Sequence, residues 1–272
     1  MLVSAADLLA GSHAGLVLLD VRWALGDDHG RERYLAGHLP GAVFVDLETE
    51  LAGPPSSTQG RHPLPPVQRL QESARRWGIT RDSRVVAYDA TGGLAAARAW
   101  WLLAWGGLTD VRLLDGGLDA WRRAGGPVET GDVVPTAGDV TLAGGGLPVL
   151  SIDEAAALPS SGVLLDARAG ERYRGESEPV DPRAGHVPGA VSAPTSDNLA
   201  PDGTFRSPDE LRQRFAGLGV QPGGAVGVYC GSGVTAAHEV AALATAGIEA
   251  ALWPGSWSQW SADPGRPAAR GE

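Results

Sequence analysis

The sequence contains no lysine; all 22 of its basic residues are arginine. That absence excludes Schiff-base catalysis, a lysine-anchored pyridoxal phosphate and the phosphate-loop lysine of common nucleotide hydrolases. Cysteine is nearly as scarce, with Cys230 standing alone. No intramolecular disulfide can form, and no metal site that needs two thiolates is available. Positive charge is in deficit: 32 acidic residues outnumber the 22 basic ones, a net charge of −10. Broad binding to nucleic acid or to an anionic membrane surface is therefore not expected. No apolar run approaches membrane-spanning length, since the best stretch, 94–105, is interrupted by Arg98. The first twenty residues lack a basic leader and carry Asp7 inside their apolar stretch, so the expected location is the cytoplasm.

What is present is a repeat. Leu18-Leu19-Asp20-Val21-Arg22 recurs as Leu164-Leu165-Asp166-Ala167-Arg168, and Ala36-Gly37-His38-Leu39-Pro40-Gly41-Ala42-Val43 as Ala184-Gly185-His186-Val187-Pro188-Gly189-Ala190-Val191. Further on, Val86-Ala87-Tyr88-Asp89 matches Gly227-Val228-Tyr229-Cys230. The turn Asp115-Gly116-Gly117-Leu118 matches Pro254-Gly255-Ser256-Trp257. Order and spacing are nearly kept, as two copies of one domain require. The domains expected are residues 1–131 and 147–272. The Gly-, Thr-, Val- and Pro-rich stretch 132–146 lacks helical periodicity and reads as a linker.

Within each copy, short apolar runs alternate with helical patterns. Strands are expected at 15–20, 84–89 and 111–114, and again at 162–166, 225–229 and 250–253. Several are continuously apolar, as strands covered on both faces are. Helices are expected at 66–77, 94–105, 208–216 and 234–246. The fold class is α/β, each copy a small parallel sheet flanked by helices. Ligands in such sheets sit at the carboxyl ends of the strands.

Cys230 falls at such an end. Val226–Tyr229 is the strand, Cys230-Gly231-Ser232-Gly233 the turn, and Val234-Thr235-Ala236 opens a helix. Two glycines let successive amides point toward one atom, and the helix adds partial positive charge there. Both favour a thiolate, a persulfide anion or an anionic substrate. A lone cysteine can also be an inert core residue, but a Gly-rich strand-to-helix turn is not where such a residue is usually found. Phosphoryl transfer through a cysteine needs an arginine six residues on, to clamp the phosphate. That position is Ala236, so sulfur transfer is the better match.

With these residues in view, the sequence resembles the tandem-domain rhodanese family of thiosulfate and 3-mercaptopyruvate sulfurtransferases. The resemblance rests on both Gly-His-x-Pro-Gly-Ala motifs, both Asp-x-Arg strand ends and the loop Cys230-Gly231-Ser232-Gly233-Val234-Thr235. It implies a catalytic second copy and an idle first one, in which Asp89 holds the cysteine's place. It also implies a Cys230 persulfide that carries sulfur from a small anionic donor to cyanide, a thiol or thioredoxin, with no metal and no cofactor. Thiosulfate enzymes of the family carry cations after the cysteine, where this loop has Gly231 and Ser232; the loop therefore looks like the mercaptopyruvate branch. Thiosulfate:cyanide transfer is the alternative donor reading. A non-catalytic module that binds partners or senses oxidants through Cys230 is the alternative of another class.

By the same resemblance, Arg172 binds the donor carboxylate together with the loop residues Gly231, Ser232, Gly233, Val234 and Thr235. Its other reading is a surface ion pair. Ser232, His62 and Glu48 match a relay in which an acid orients a histidine that polarises a hydroxyl, although the family has an aspartate where Glu48 stands. Arg183 lies too close to Gly185-His186 for the family's second carboxylate arginine. His38 and His186, present in both copies, are expected to be structural, and Arg168 to pair with Asp166. The nine tryptophans read as packing, because no basic stripe accompanies them.

Overall fold

The computed structural model describes residues 1–271. Among the described residues, nine strands form two sheets that are parallel throughout. In chain order they are β1 (Leu2–Val3), β2 (Leu16–Asp20), β3 (Val43–Phe44), β4 (Arg84–Tyr88), β5 (Val111–Leu114), β6 (Val163–Asp166), β7 (Val191–Ser192), β8 (Val226–Tyr229) and β9 (Ala251–Leu252). The first sheet runs β1-β5-β4-β2-β3 and the second β7-β6-β8-β9. The second thus repeats the first without the edge strand β1.

The central pairs carry the apolar runs. β2 meets β4 over five residue pairs, and β6 meets β8 over four, from Val163 opposite Val226 to Asp166 opposite Tyr229. All of β8 is buried, which explains why its sequence does not alternate. The four long helices lie where periodicity placed them, at Val67–Arg76, Ala96–Trp105, Pro208–Gly217 and Thr235–Thr245. Ser207 and Glu210 close a reciprocal cap at the start of the third. The strands β1, β3 and β7 were not expected. At two residues each they carry no periodic signal and exist only through their pairing.

Two compact units are present. The first comprises Met1–Gly53, Pro65–Leu147 and Ala200–Phe205. The second comprises Pro54–Leu64, Pro148–Leu199 and the described residues from Arg206 onward. The segment Pro54–Leu64 therefore belongs with the second unit, although it comes from the first half of the sequence. Gln259 Nε2 donates to Thr58 O at 2.7 Å, and Arg61 N donates to Ser258 Oγ at 3.1 Å. Ala200–Phe205 joins the first unit, where Phe205 N donates to Asp115 Oδ1 at 2.8 Å. The stretch 132–146 has no regular structure and is fastened to the first unit. Arg75 Nε donates to Val140 O, Leu142 N donates to Gln71 Oε1, and both Val140 and Leu142 are buried.

Each unit has its own apolar cluster. Leu18, Val86, Leu114 and Trp121 centre the first; Leu164, Val187, Trp253 and Trp257 centre the second. The repeated motifs do matching structural work in both. Arg22 pairs with Asp20 and donates to Gly37 O at 2.8 Å, while Arg168 pairs with Asp166 and donates to Gly185 O at 2.7 Å. His38 Nδ1 bonds Tyr34 O, His186 Nδ1 bonds Tyr173 O, and each imidazole stacks on its tyrosine ring. These histidines and Arg168 serve the fold, as expected.

Candidate active site

Cys230 follows β8 directly and is buried, at 2% exposure. Gly233 N donates to its Sγ at 3.1 Å. Gly233 takes φ of +79°, and a β-carbon there would lie 2.5 Å from Pro254 O, so only glycine closes this turn. Beyond it, Val234 leads into the helix Thr235–Thr245, whose N-terminus opens toward the loop.

The turn after β9 buttresses the loop. Ser256 Oγ accepts from Cys230 N at 3.1 Å and donates to Trp253 O at 2.9 Å. Trp257 N donates to Cys230 O, and Ser258 N to Gly231 O. Ser256 adopts φ of +53° and is the one non-glycine residue with positive φ among the described residues. Its counterpart in the first copy, Gly117, has φ of +57°. The second copy thus tolerates left-handed strain to place a hydroxyl under the cysteine's amide.

Ser232, also buried, shares a 2.7 Å hydrogen bond with His62 Nδ1 across 170 residues of sequence. Glu48, the expected acid of that relay, lies in the first unit on the short helix Leu47–Glu50. There its Oε1 accepts from the Trp23 indole at 2.7 Å. Asp46 caps that helix, accepting from Glu48 N and Thr49 N.

Arg172 reaches the loop. A β-carbon at Gly231 would sit 3.4 Å from its Nη1, and its Nη2 donates to Glu178 Oε1 at 2.6 Å and to Asp181 Oδ2 at 3.2 Å. Arg61 approaches the same point from the other segment of the unit, with Nη2 3.2 Å from that β-carbon position and Nη1 paired with Asp181. Burial pushes the Asp181 carboxyl above its ordinary range, against the pull of Arg61 and with the push of Glu178. Burial alone would lower the Arg168 guanidinium; Asp166 beside it holds it above the usual arginine range. Arg183 is elsewhere engaged, donating to the carbonyls of Trp260, Ser261, Asp263 and Arg266.

Cys230, Ser232, His62, Arg172, Gly231, Gly233, Val234 and Thr235 therefore lie in one unit. Sequence reasoning missed Arg61, Glu178, Asp181, Ser256 and Ser258. Only Ser256 left a trace in the sequence, as the serine that replaces a glycine in the repeated turn. Among the described residues, three potential metal ligands come together only at Asp27-Asp28-His29, a largely exposed group in the first unit. No helix of the described residues is long and apolar enough to cross a membrane.

Residues 4–124 and 151–263 each match the rhodanese-like domain. The chain belongs to the rhodanese-like family. Over 279 residues it is 51% identical to a Mycobacterium tuberculosis protein that carries the name of a thiosulfate sulfurtransferase, SseB, covering 100% of this chain and 97% of that one. It is 47% identical to a Pseudomonas aeruginosa protein that carries the name of a 3-mercaptopyruvate sulfurtransferase, covering 96% and 94%. The crystal structure of SseA from Escherichia coli, described as a rhodanese fold of the 3-mercaptopyruvate enzymes, matches with a TM-score of 0.83. That match has 33% identity and covers 94% of this chain and 98% of SseA.

The matching loop of the first rhodanese-like copy is filled differently. Asp89, at the position of Cys230, turns its carboxylate into its own loop. Oδ1 accepts from Thr91 N and Gly93 N at 2.8 Å, and Oδ2 from Ala95 N at 2.9 Å and Ala96 N at 3.0 Å. The amides that could cradle a foreign anion are filled by a tethered one.

Proposed function

We propose that this rhodanese-like sulfurtransferase moves sulfur from 3-mercaptopyruvate, through a persulfide on Cys230, to a thiophilic acceptor. The Cys230 thiolate attacks the donor sulfur, the S–S bond forms and the donor C–S bond breaks. The electron pair of that bond passes into the pyruvate enolate, which takes up the proton released from the new persulfide. Cyanide or a thiol, free or on thioredoxin, then attacks the outer sulfur and regenerates the thiolate. Soft sulfur chemistry of this kind calls for no metal or cofactor. A single unpaired cysteine suits a reducing compartment, and the cytoplasm is the proposed location.

The observation that carries this reading is the loop itself, with an amide on Cys230 Sγ and a hydroxyl–imidazole pair two residues away. Ser232, backed by His62, is placed to donate to the ketone oxygen as the enolate develops. Arg172 supplies the cation for the carboxylate. The name of the Pseudomonas relative and the likeness to SseA support the same donor.

Thiosulfate is the second reading, supported by the name of the mycobacterial relative and by the two guanidinium groups beside Gly231. Both of those groups already hold carboxylates, which leaves little surplus charge for a dianion. Steady-state assays of the parent protein and Cys230→Ser with each donor test the choice. A mercaptopyruvate preference, abolished in the variant, is expected. A thiosulfate preference would keep the nucleophile and reject the donor, and inactivity with both would favour a binding module.

A further inference from the structure

We propose that Arg61 is a second anion-binding residue of the Cys230 site, and that Asp181 is its internal counter-ion, holding the guanidinium until a donor carboxylate takes its place. For the identity of the donor this rests on the function proposed above.

Position comes first. Arg61 N donates to Ser258 Oγ at 3.1 Å, and Ser258 N donates to Gly231 O at 2.9 Å, so one serine ties the Arg61 backbone to the residue beside the cysteine. The segment is laid tight against the turn. Gly60 takes φ of +88°, and a β-carbon on it would fall 2.5 Å from Gly255 O. With the backbone held so, the Arg61 side chain converges with Arg172 on Gly231, the loop residue that has no side chain to exclude them.

Two guanidinium groups on one spot repel unless anions lie between them. Asp181 does this for both, pairing with Arg61 and with Arg172, while Glu178 takes Arg172 and Arg168. Donor capacity still exceeds what these carboxylates accept. The Nε atoms of Arg61 and Arg172 are both buried without a hydrogen-bond partner. Such a cluster is short of acceptors, the condition of an anion site rather than of a finished structural ion pair. A keto-acid carboxylate in place of Asp181 on Arg61 keeps that guanidinium paired, while Asp181 retains Arg172. Burial raises the Asp181 carboxyl, which brings within easier reach its neutral form, the one a guanidinium holds less tightly.

Because Cys230 is the only cysteine, its alkylation is an unambiguous probe. Iodoacetate and iodoacetamide differ mainly in charge, and the ratio of their rates cancels the thiolate fraction and the state of the loop. Arg61→Ala is expected to lower that ratio about tenfold, Arg61→Lys by less, and Asp181→Asn to raise it about threefold. The double variant Arg61→Ala with Asp181→Asn is expected to stay below the parent protein. A ratio unchanged in Arg61→Ala, or restored to the parent value in the double variant, overturns the proposal; in the latter case Arg61 would only neutralise Asp181. In steady state Arg61→Ala is expected to raise the KM for 3-mercaptopyruvate about tenfold with kcat nearly kept. A loss confined to kcat also overturns it. The alkylation ratio needs no sulfur donor, so a failure of the proposed function leaves this test intact.

Discussion

Asp181 shows how one carboxyl can set the reach of a site. It is raised by burial, and the charged groups facing it are Arg61, Arg172, Arg168 and Glu178. Protonating it removes a negative charge beside Arg61, so an external anion is bound more tightly as pH falls into the raised range. The iodoacetate-to-iodoacetamide ratio is therefore expected to climb on acidification in the parent protein and to stay flatter in Asp181→Asn. Ser256 makes the complementary point about strain. Ser256→Ala keeps a β-carbon at φ of +53° but orphans the Cys230 amide. Its expected cost is about 1–3 kcal/mol in denaturant unfolding. Ser256→Gly loses the same hydroxyl but relieves the backbone, and should be the milder variant by about 1 kcal/mol. Equal losses would show that the left-handed conformation carries no strain here.

At the scale of elements, the two strand-to-helix loops are one device with two fillings. In the second unit the loop turns an amide onto the Cys230 sulfur; in the first it is closed by Asp89 with four amide bonds. Asp89→Ala would leave those buried donors unpaired, and a loss of about 2–4 kcal/mol in unfolding free energy is expected. Asp89→Asn, which keeps one acceptor oxygen, should fall between. The strands and long helices that carry these loops were legible from apolar runs and periodicity. The two-residue strands β1, β3 and β7 were not, because no apolar run marks them and each is defined by its neighbour. Nor was the fastening of 132–146 to the first unit, since Val140 and Leu142 are buried without any regular pattern to announce them.

Across the whole molecule, two parallel sheets each enclose an apolar cluster built from their own unit's residues. A loop substitution is therefore expected to act locally. In amide hydrogen exchange, Asp89→Ala should speed exchange through β4 and the helix Ala96–Trp105, and leave β8 and the helix Thr235–Thr245 near their parent rates. Uniform acceleration in both units would overturn that expectation. The duplication was plain in the sequence, because the same local geometries demand the same Gly-His-x-Pro-Gly turns and Asp-x-Arg strand ends twice.

The sequence by itself determined the α/β class, the two copies, the burial of β8 and the place of Cys230 at a strand end. Each follows from local rules: apolar runs make covered strands, and glycines make turns that aim amides inward. It also singled out Ser232, His62 and Arg172, through a resemblance carried by short motifs. Tertiary structure alone decided which distant groups meet there. The segment Pro54–Leu64 packs against the turn after β9 and brings His62 to Ser232 and Arg61 to Gly231. A loop 120 residues from Arg61 supplies Asp181 as its partner. No local propensity encodes such meetings. They depend on which surfaces become complementary once the sheets have formed, and that complementarity, more than any motif, sets the charge around the sulfur.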